Sequence, residues 1–115
     1  MISREYDLED RTLRFALWVR EFVSGLIKSD VNRVYIRQLV RSSSSIGANY
    51  IEANESLSRK DFVHRIKIAK KEAKESIYWL KLLVVPRGLE GDRMRIANEC
   101  VELMRIFGSI IEKSK

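Results

Sequence analysis

Residues 59 to 74 hold Arg59, Lys60, Arg65, Lys67, Lys70, Lys71 and Lys74 against Asp61 and Glu72, so this stretch carries +5 of a formal net charge of +6. At about 100° per residue, Arg59, Lys60, Lys67, Lys70, Lys71 and Lys74 fall within about a 120° arc of one helix, and Arg65 lies outside it. The like-charged pairs Lys67/Lys71 and Lys70/Lys74 each cost on the order of 0.2–0.5 kcal/mol of helix stability, which alternating signs would avoid. Such a stripe suits neutralisation of phosphates on RNA or DNA. The plainer alternative is a solvated face that serves solubility. The six cations of the arc are the candidate nucleic-acid-binding residues.

Almost opposite the stripe on the same helix lie Asp61, His64, Ile68, Glu72, Glu75 and Trp79. An exposed tryptophan and isoleucine among carboxylates suit a protein interface, and this face, together with an apolar flank of the preceding helix (Ile36, Val40, Gly47 and Ile51), is expected to pack against a second copy of the chain. The competing reading has Trp79 covering the end of a helix-bundle core.

Other chemistries lack the residues they need. Glu52, Glu55, Glu72 and Glu75 invite comparison with di-iron carboxylate bundles, but those require Glu-x-x-His pairs, and the one histidine, His64, follows no glutamate at that spacing. Magnesium on these carboxylates is a weaker alternative to ordinary surface acids or intersubunit salt bridges. Ser42 to Ser45 have no identifiable base, and Cys100 sits near Val101 and Met104, as inert packing or a helix-surface thiol. The five glycines are scattered and form no phosphate-cradling loop. The sequence specifies no enzyme, no metal and no cofactor.

The stripe needs a long helix, and the sequence supplies four. Phe15, Trp18, Val19, Phe22 and Leu26 recur at helical spacing and predict a first helix from about Asp10 to Lys28. Ser29-Asp30-Val31-Asn32 reads as a turn in which Asp30 or Asn32 caps the next helix. That second helix, about Arg33 to Leu57, places Tyr35, Leu39, Ile46, Tyr50, Ala53 and Leu57 on one side, with Ile36, Val40, Gly47 and Ile51 on an adjoining flank. Its Ser42–Ser45 run resembles a linker, but apolar periodicity continues in phase across it. The reading adopted is an unbroken helix whose serines and Gly47 let neighbouring backbones approach, offsetting a glycine cost of roughly 1 kcal/mol.

Ser58 and Asp61 have capping-box spacing and start the third helix. This helix buries Phe62, Ile66, Ala69, Ala73, Ile77, Leu80 and Val84 and ends before Pro86. A fourth, about Asp92 to Lys113, buries Met94, Ala97, Val101, Met104, Phe107 and Ile111. Short connections make neighbours antiparallel, so the expected fold is all-α: an antiparallel up-down four-helix bundle, with residues 1–115 as a single domain. One cysteine excludes an intramolecular disulfide and fits a reducing, cytoplasmic location. The segment Met1 to Asp7 is too polar for a signal peptide, and Tyr78 to Val85 is too short to span a membrane.

Three segments carry a family resemblance: Arg41 to Asn54 (RSSSSIGANYIEAN), Ser58 to Ile66 (SRKDFVHRI) and Lys71 to Leu80 (KEAKESIYWL). The chain resembles the bacterial four-helix-bundle proteins encoded in intervening sequences of large-subunit (23S) ribosomal RNA genes, strongly over Arg41 to Leu83 and more loosely in the flanking helices. The resemblance implies an up-down bundle assembled into a ring, a homopentamer, and a relationship to the nucleic-acid-binding accessory proteins of diversity-generating retroelements. Members are often labelled ribosomal proteins because of gene location. The resemblance transfers no catalytic residue. It makes Asn49, Glu52, Asp61, Glu72, Glu75 and Trp79 candidates for fold and assembly. A ring would set several stripes side by side, so that weak phosphate contacts act jointly. The expected function is therefore that of a non-enzymatic, oligomeric RNA- or DNA-binding accessory protein. The alternative is a homo-oligomeric scaffold that recruits a protein partner.

Overall fold

Glycine and proline interrupt the chain at few points, and long helices follow. A computed structural model describes residues 4–115, with side chains from Leu8 onward. Of the polar segment Met1 to Asp7, expected not to act as a signal, Met1 to Ser3 lie outside the described residues. The helices are α1 (Arg4–Ser24), α2 (Asp30–Asn54), α3 (Arg59–Leu82) and α4 (Glu90–Lys113), with a 3-10 turn at Arg87–Leu89 before α4. No strand occurs among the described residues, and none of their helices is long and apolar enough to cross a membrane.

Helices adjacent in sequence pack against each other, most extensively α2 with α3, and α1 also meets α4. This closes an all-α four-helix bundle measuring 44 × 29 × 19 Å. The core stacks Phe15 and Val19 of α1, Leu39 and Ile46 of α2, Ile66 and Leu80 of α3, and Ile96, Leu103 and Phe107 of α4.

The helix ends differ from expectation, for local reasons. Helix α1 stops at Ser24, before Gly25, and the Lys28 ammonium donates to the Val23 and Leu26 carbonyls at 2.9 and 2.7 Å. Such a cation at a helix C-terminus satisfies carbonyls left without an intrahelical partner. The cap of α2 is Ser29, whose hydroxyl accepts from the Asn32 backbone N–H. Asn32 is not a cap. Its buried side-chain amide donates to Ile27 O and Val84 O and accepts from Val84 N, each at 2.9 Å, tying the first turn to the end of α3.

Helix α2 passes unbroken through Ser42–Ser45. Ser42 Oγ lies 2.7 Å from Ser76 Oγ of α3, with both residues buried. On the other side a Cβ on Gly47 would lie 3.0 Å from Thr12 Oγ1, so the glycine lets α1 approach. The helix ends at Asn54, which leaves Leu57 in the connection, 99% exposed rather than buried. Ser58 caps α3 as expected, accepting from Asp61 N at 3.1 Å.

Two core assignments shift. Helix α3 ends at Leu82, and Leu83 turns extended (φ −61°, ψ 138°), so Leu83 points inward and Val84 is exposed. In α4 the fully buried residues are Ile96, Cys100, Leu103 and Phe107, which rotates the core face by roughly 80° from the expected one. Met94 is exposed, while Val101 and Met104 are half-buried.

Candidate nucleic-acid interface

Arg59, Lys60, Lys67, Lys70, Lys71 and Lys74 are all exposed on α3. Among the described residues none of the six enters an ion pair. Packing occupies a different face of α3, centred roughly 120° around the helix from the cations: Ile66, Ala69, Ala73 and Leu80 are fully buried. Arg65, outside the arc, is drawn to α2 and donates to Asn49 Oδ1 at 3.2 Å.

The second set of candidates divides. Asp61 and His64 are exposed and Ile68 is half-buried. Glu72, Glu75 and Trp79 instead line the α2–α3 seam. Arg41 reaches across from α2 to Glu72 at 3.3 Å and pairs closely with Glu75, and Trp79 Nε1 donates to Glu75 Oε2 at 2.9 Å. The Trp79 ring is half-buried and stacks on Tyr35 with centroids 6.2 Å apart. The flank of α2 expected to accompany this face lies on the α1 side, where Gly47 meets Thr12. Val40 and Ile51 on that flank are 41% and 48% exposed.

The shifted phase of α4 creates a feature that periodicity alone did not reveal: an open groove of about 890 Å³ between α3 and α4. Half-buried Ile77, Val101 and Met104 form its apolar floor. Lys70, Lys71 and Lys74 of the stripe lie along it, joined by Lys81 and Arg105. Tyr78, 57% exposed, also lines it, and its ring meets Trp79 edge-on at 5.2 Å. Glu75 is the one carboxylate in the lining, and Arg41 offsets its charge. Tyr78 and Lys81 continue the helical spacing of Lys70 and Lys74, a signal present in the sequence. Arg105 joins them only through packing of α4.

Residues 4–109 match the family described as 23S rRNA-intervening sequence protein. The chain belongs to this family. A solved relative is a Bacteroides thetaiotaomicron protein of unknown function from the S23 ribosomal protein family, 33% identical. The match covers 96% of this chain and 99% of that one, with a TM-score of 0.83. No curated protein matches significantly. For this member of the 23S rRNA-intervening sequence protein family, the match extends beyond the motif-rich centre into α1 and α4, so the whole bundle is the family's unit.

Cys100 is fully buried, and desolvation, followed by the nearby Glu99 carboxylate, pushes its thiol up to about 12. A thiol so held is packing and not a nucleophile at neutral pH. Among the described residues, no three His, Cys, Asp or Glu side chains converge as a metal site requires.

Proposed function

We propose that this protein binds RNA or DNA through the basic face of α3, as a homo-oligomeric accessory protein without catalytic activity. The observation that carries this reading is that six cations stay exposed on one face of α3, and among the described residues none of them is in an ion pair, while a separate face of the helix is buried in the core. A face that served only solubility would do as well with mixed charges, without the repulsion between Lys67 and Lys71 or Lys70 and Lys74. The family description, with its link to ribosomal RNA genes, is consistent with a nucleic-acid role.

Self-association is the second element of the proposal. Leu13 and Leu17 on α1, with Val40 and Ile51 on α2, are large apolar side chains between 40% and 57% exposed. A ring, a pentamer in the reading from resemblance, would use such surfaces, together with Asp61, His64 and Ile68 of α3, and would multiply weak phosphate contacts. The same apolar surface favours the alternative of a scaffold that recruits a protein partner.

Replacing Lys67, Lys70, Lys71 and Lys74 together by glutamate separates the two. Nucleic-acid binding is expected to disappear while the sedimentation coefficient and the helical circular dichroism stay as in the wild type. Retained binding would overturn the proposal.

A further inference from the structure

The stripe and the groove make different demands on a ligand. A line of lysines needs only phosphates, which duplexes and single strands both present. The floor of Ile77, Val101 and Met104, with the exposed ring of Tyr78 beside it, rewards a ligand that also offers flat apolar faces. A duplex keeps its bases stacked inside and cannot supply them without unpairing. A single strand presents both its phosphates and its bases.

The aromatic side chain is held and not merely exposed. Trp79 meets Tyr78 edge-on at 5.2 Å, and is itself fixed by stacking on Tyr35 and by the hydrogen bond to Glu75. A ring braced in this way loses little rotamer freedom on binding, which preserves affinity. Lys74, Tyr78 and Lys81 follow one another on α3 at about 6 and about 4.5 Å of helical rise, so the ring stands between two cations. Arg105 faces them from α4, paired with Glu102 at 2.7 Å.

We propose that the α3–α4 groove binds single-stranded nucleic acid, one base stacking on Tyr78 while the flanking phosphates lie on Lys74 and Lys81. This rests on the nucleic-acid reading above and assigns the strandedness of the ligand to a specific ring. Recognition of this kind is tolerant of sequence, because every base has a stacking face.

The test is fluorescence anisotropy of the full-length protein with a labelled oligouridylate and with a duplex of equal length at low salt. Tyr78→Ala is expected to weaken oligouridylate binding by about 5- to 150-fold, the loss of one stacked base. Duplex affinity and the salt slope should be unchanged, and Tyr78→Phe should bind like the wild type. A Tyr78→Ala variant that binds oligouridylate normally, or loses duplex affinity equally, overturns the inference. So does tight binding of a polyglutamate peptide that depends on Tyr78. If the lysine reversal abolishes binding but Tyr78→Ala does not, this inference fails and the nucleic-acid reading stands. If the wild type binds neither probe, both fail.

Discussion

Replacing Gly47 by alanine sets two effects of known size against each other. Alanine is favoured over glycine by about 1 kcal/mol inside a helix, and α2 is helical on both sides of this position. Opposing it, the added Cβ would lie 3.0 Å from Thr12 Oγ1 and 3.2 Å from Thr12 Cβ. Thr12 has little room to yield, being 1% exposed with its hydroxyl donating to Glu9 O at 3.0 Å. Rotation about χ1 would move Oγ1 away but leave Cβ in place, so relief requires α1 itself to shift. Overpacking of this kind costs roughly 1–3 kcal/mol. The expected balance is a net loss of about 1 kcal/mol, which lowers Tm by about 4 °C for a chain of this length. Circular dichroism melts and urea titrations of the single variants and of the Gly47→Ala/Thr12→Gly double variant measure it. Removing both threonine atoms should restore the fit, giving a favourable coupling of about 1 kcal/mol in the double-mutant cycle. A higher Tm for Gly47→Ala alone would refute the close α1–α2 approach.

Asn32→Ala removes three hydrogen bonds at once and should cost about 2–3 kcal/mol in urea unfolding, at about 1 kcal/mol each; a loss below about 0.5 kcal/mol would contradict this role. Ser76→Ala leaves Ser42 without its partner on α3, and Ser42→Ala/Ser76→Ala should lose less than the sum of the singles, as measured by the same titrations. Arg41→Ala leaves Glu75 uncompensated in the groove lining, so oligouridylate affinity should fall and Trp79 fluorescence should change. Cys100 titrates at 9.0 when unperturbed and near 12 when folded, so the unfolded chain loses its proton first. Stability should therefore decline as pH rises from about 9 toward 12, and a Cys100→Ala variant should lack that component of the decline. Modification by a thiol reagent should be negligible in the native state and complete in denaturant.

Features set by local chemistry were readable in the sequence. Ser58 three residues before Asp61 marked the start of α3, and in-phase apolar residues on both sides of Ser42–Ser45 marked an unbroken α2. The cationic arc was equally plain, because charged side chains on a helix that has a separate, strongly apolar face for the core have few alternatives to solvent. Helix α4 was harder to read. Ile96, Ala97, Val101, Leu103, Met104, Ile106, Phe107, Ile110 and Ile111 occupy more than half its circumference, so periodicity names no unique inner face. Packing against α1 and α3 selects Ile96, Cys100, Leu103 and Phe107, and this choice exposes the groove beside Lys74 and Tyr78. Trp79 illustrates a second limit: its spacing left open an interface anchor or a cover over the core, and Arg41, Glu75 and Tyr35 from two helices surround the site where the ring rests. Cross-helix partners of this kind leave no mark in either segment alone.

The central claim is that the cations of α3 neutralise phosphates, and the salt dependence of binding tests it most directly. The observed association constant of the full-length protein for oligouridylate should fall linearly with salt on logarithmic axes, by about 0.7 per phosphate contacted. Reversal of Lys67, Lys70, Lys71 and Lys74 should abolish that binding with the fold intact. A flat salt dependence, or no binding to any nucleic acid at low salt, would contradict the account.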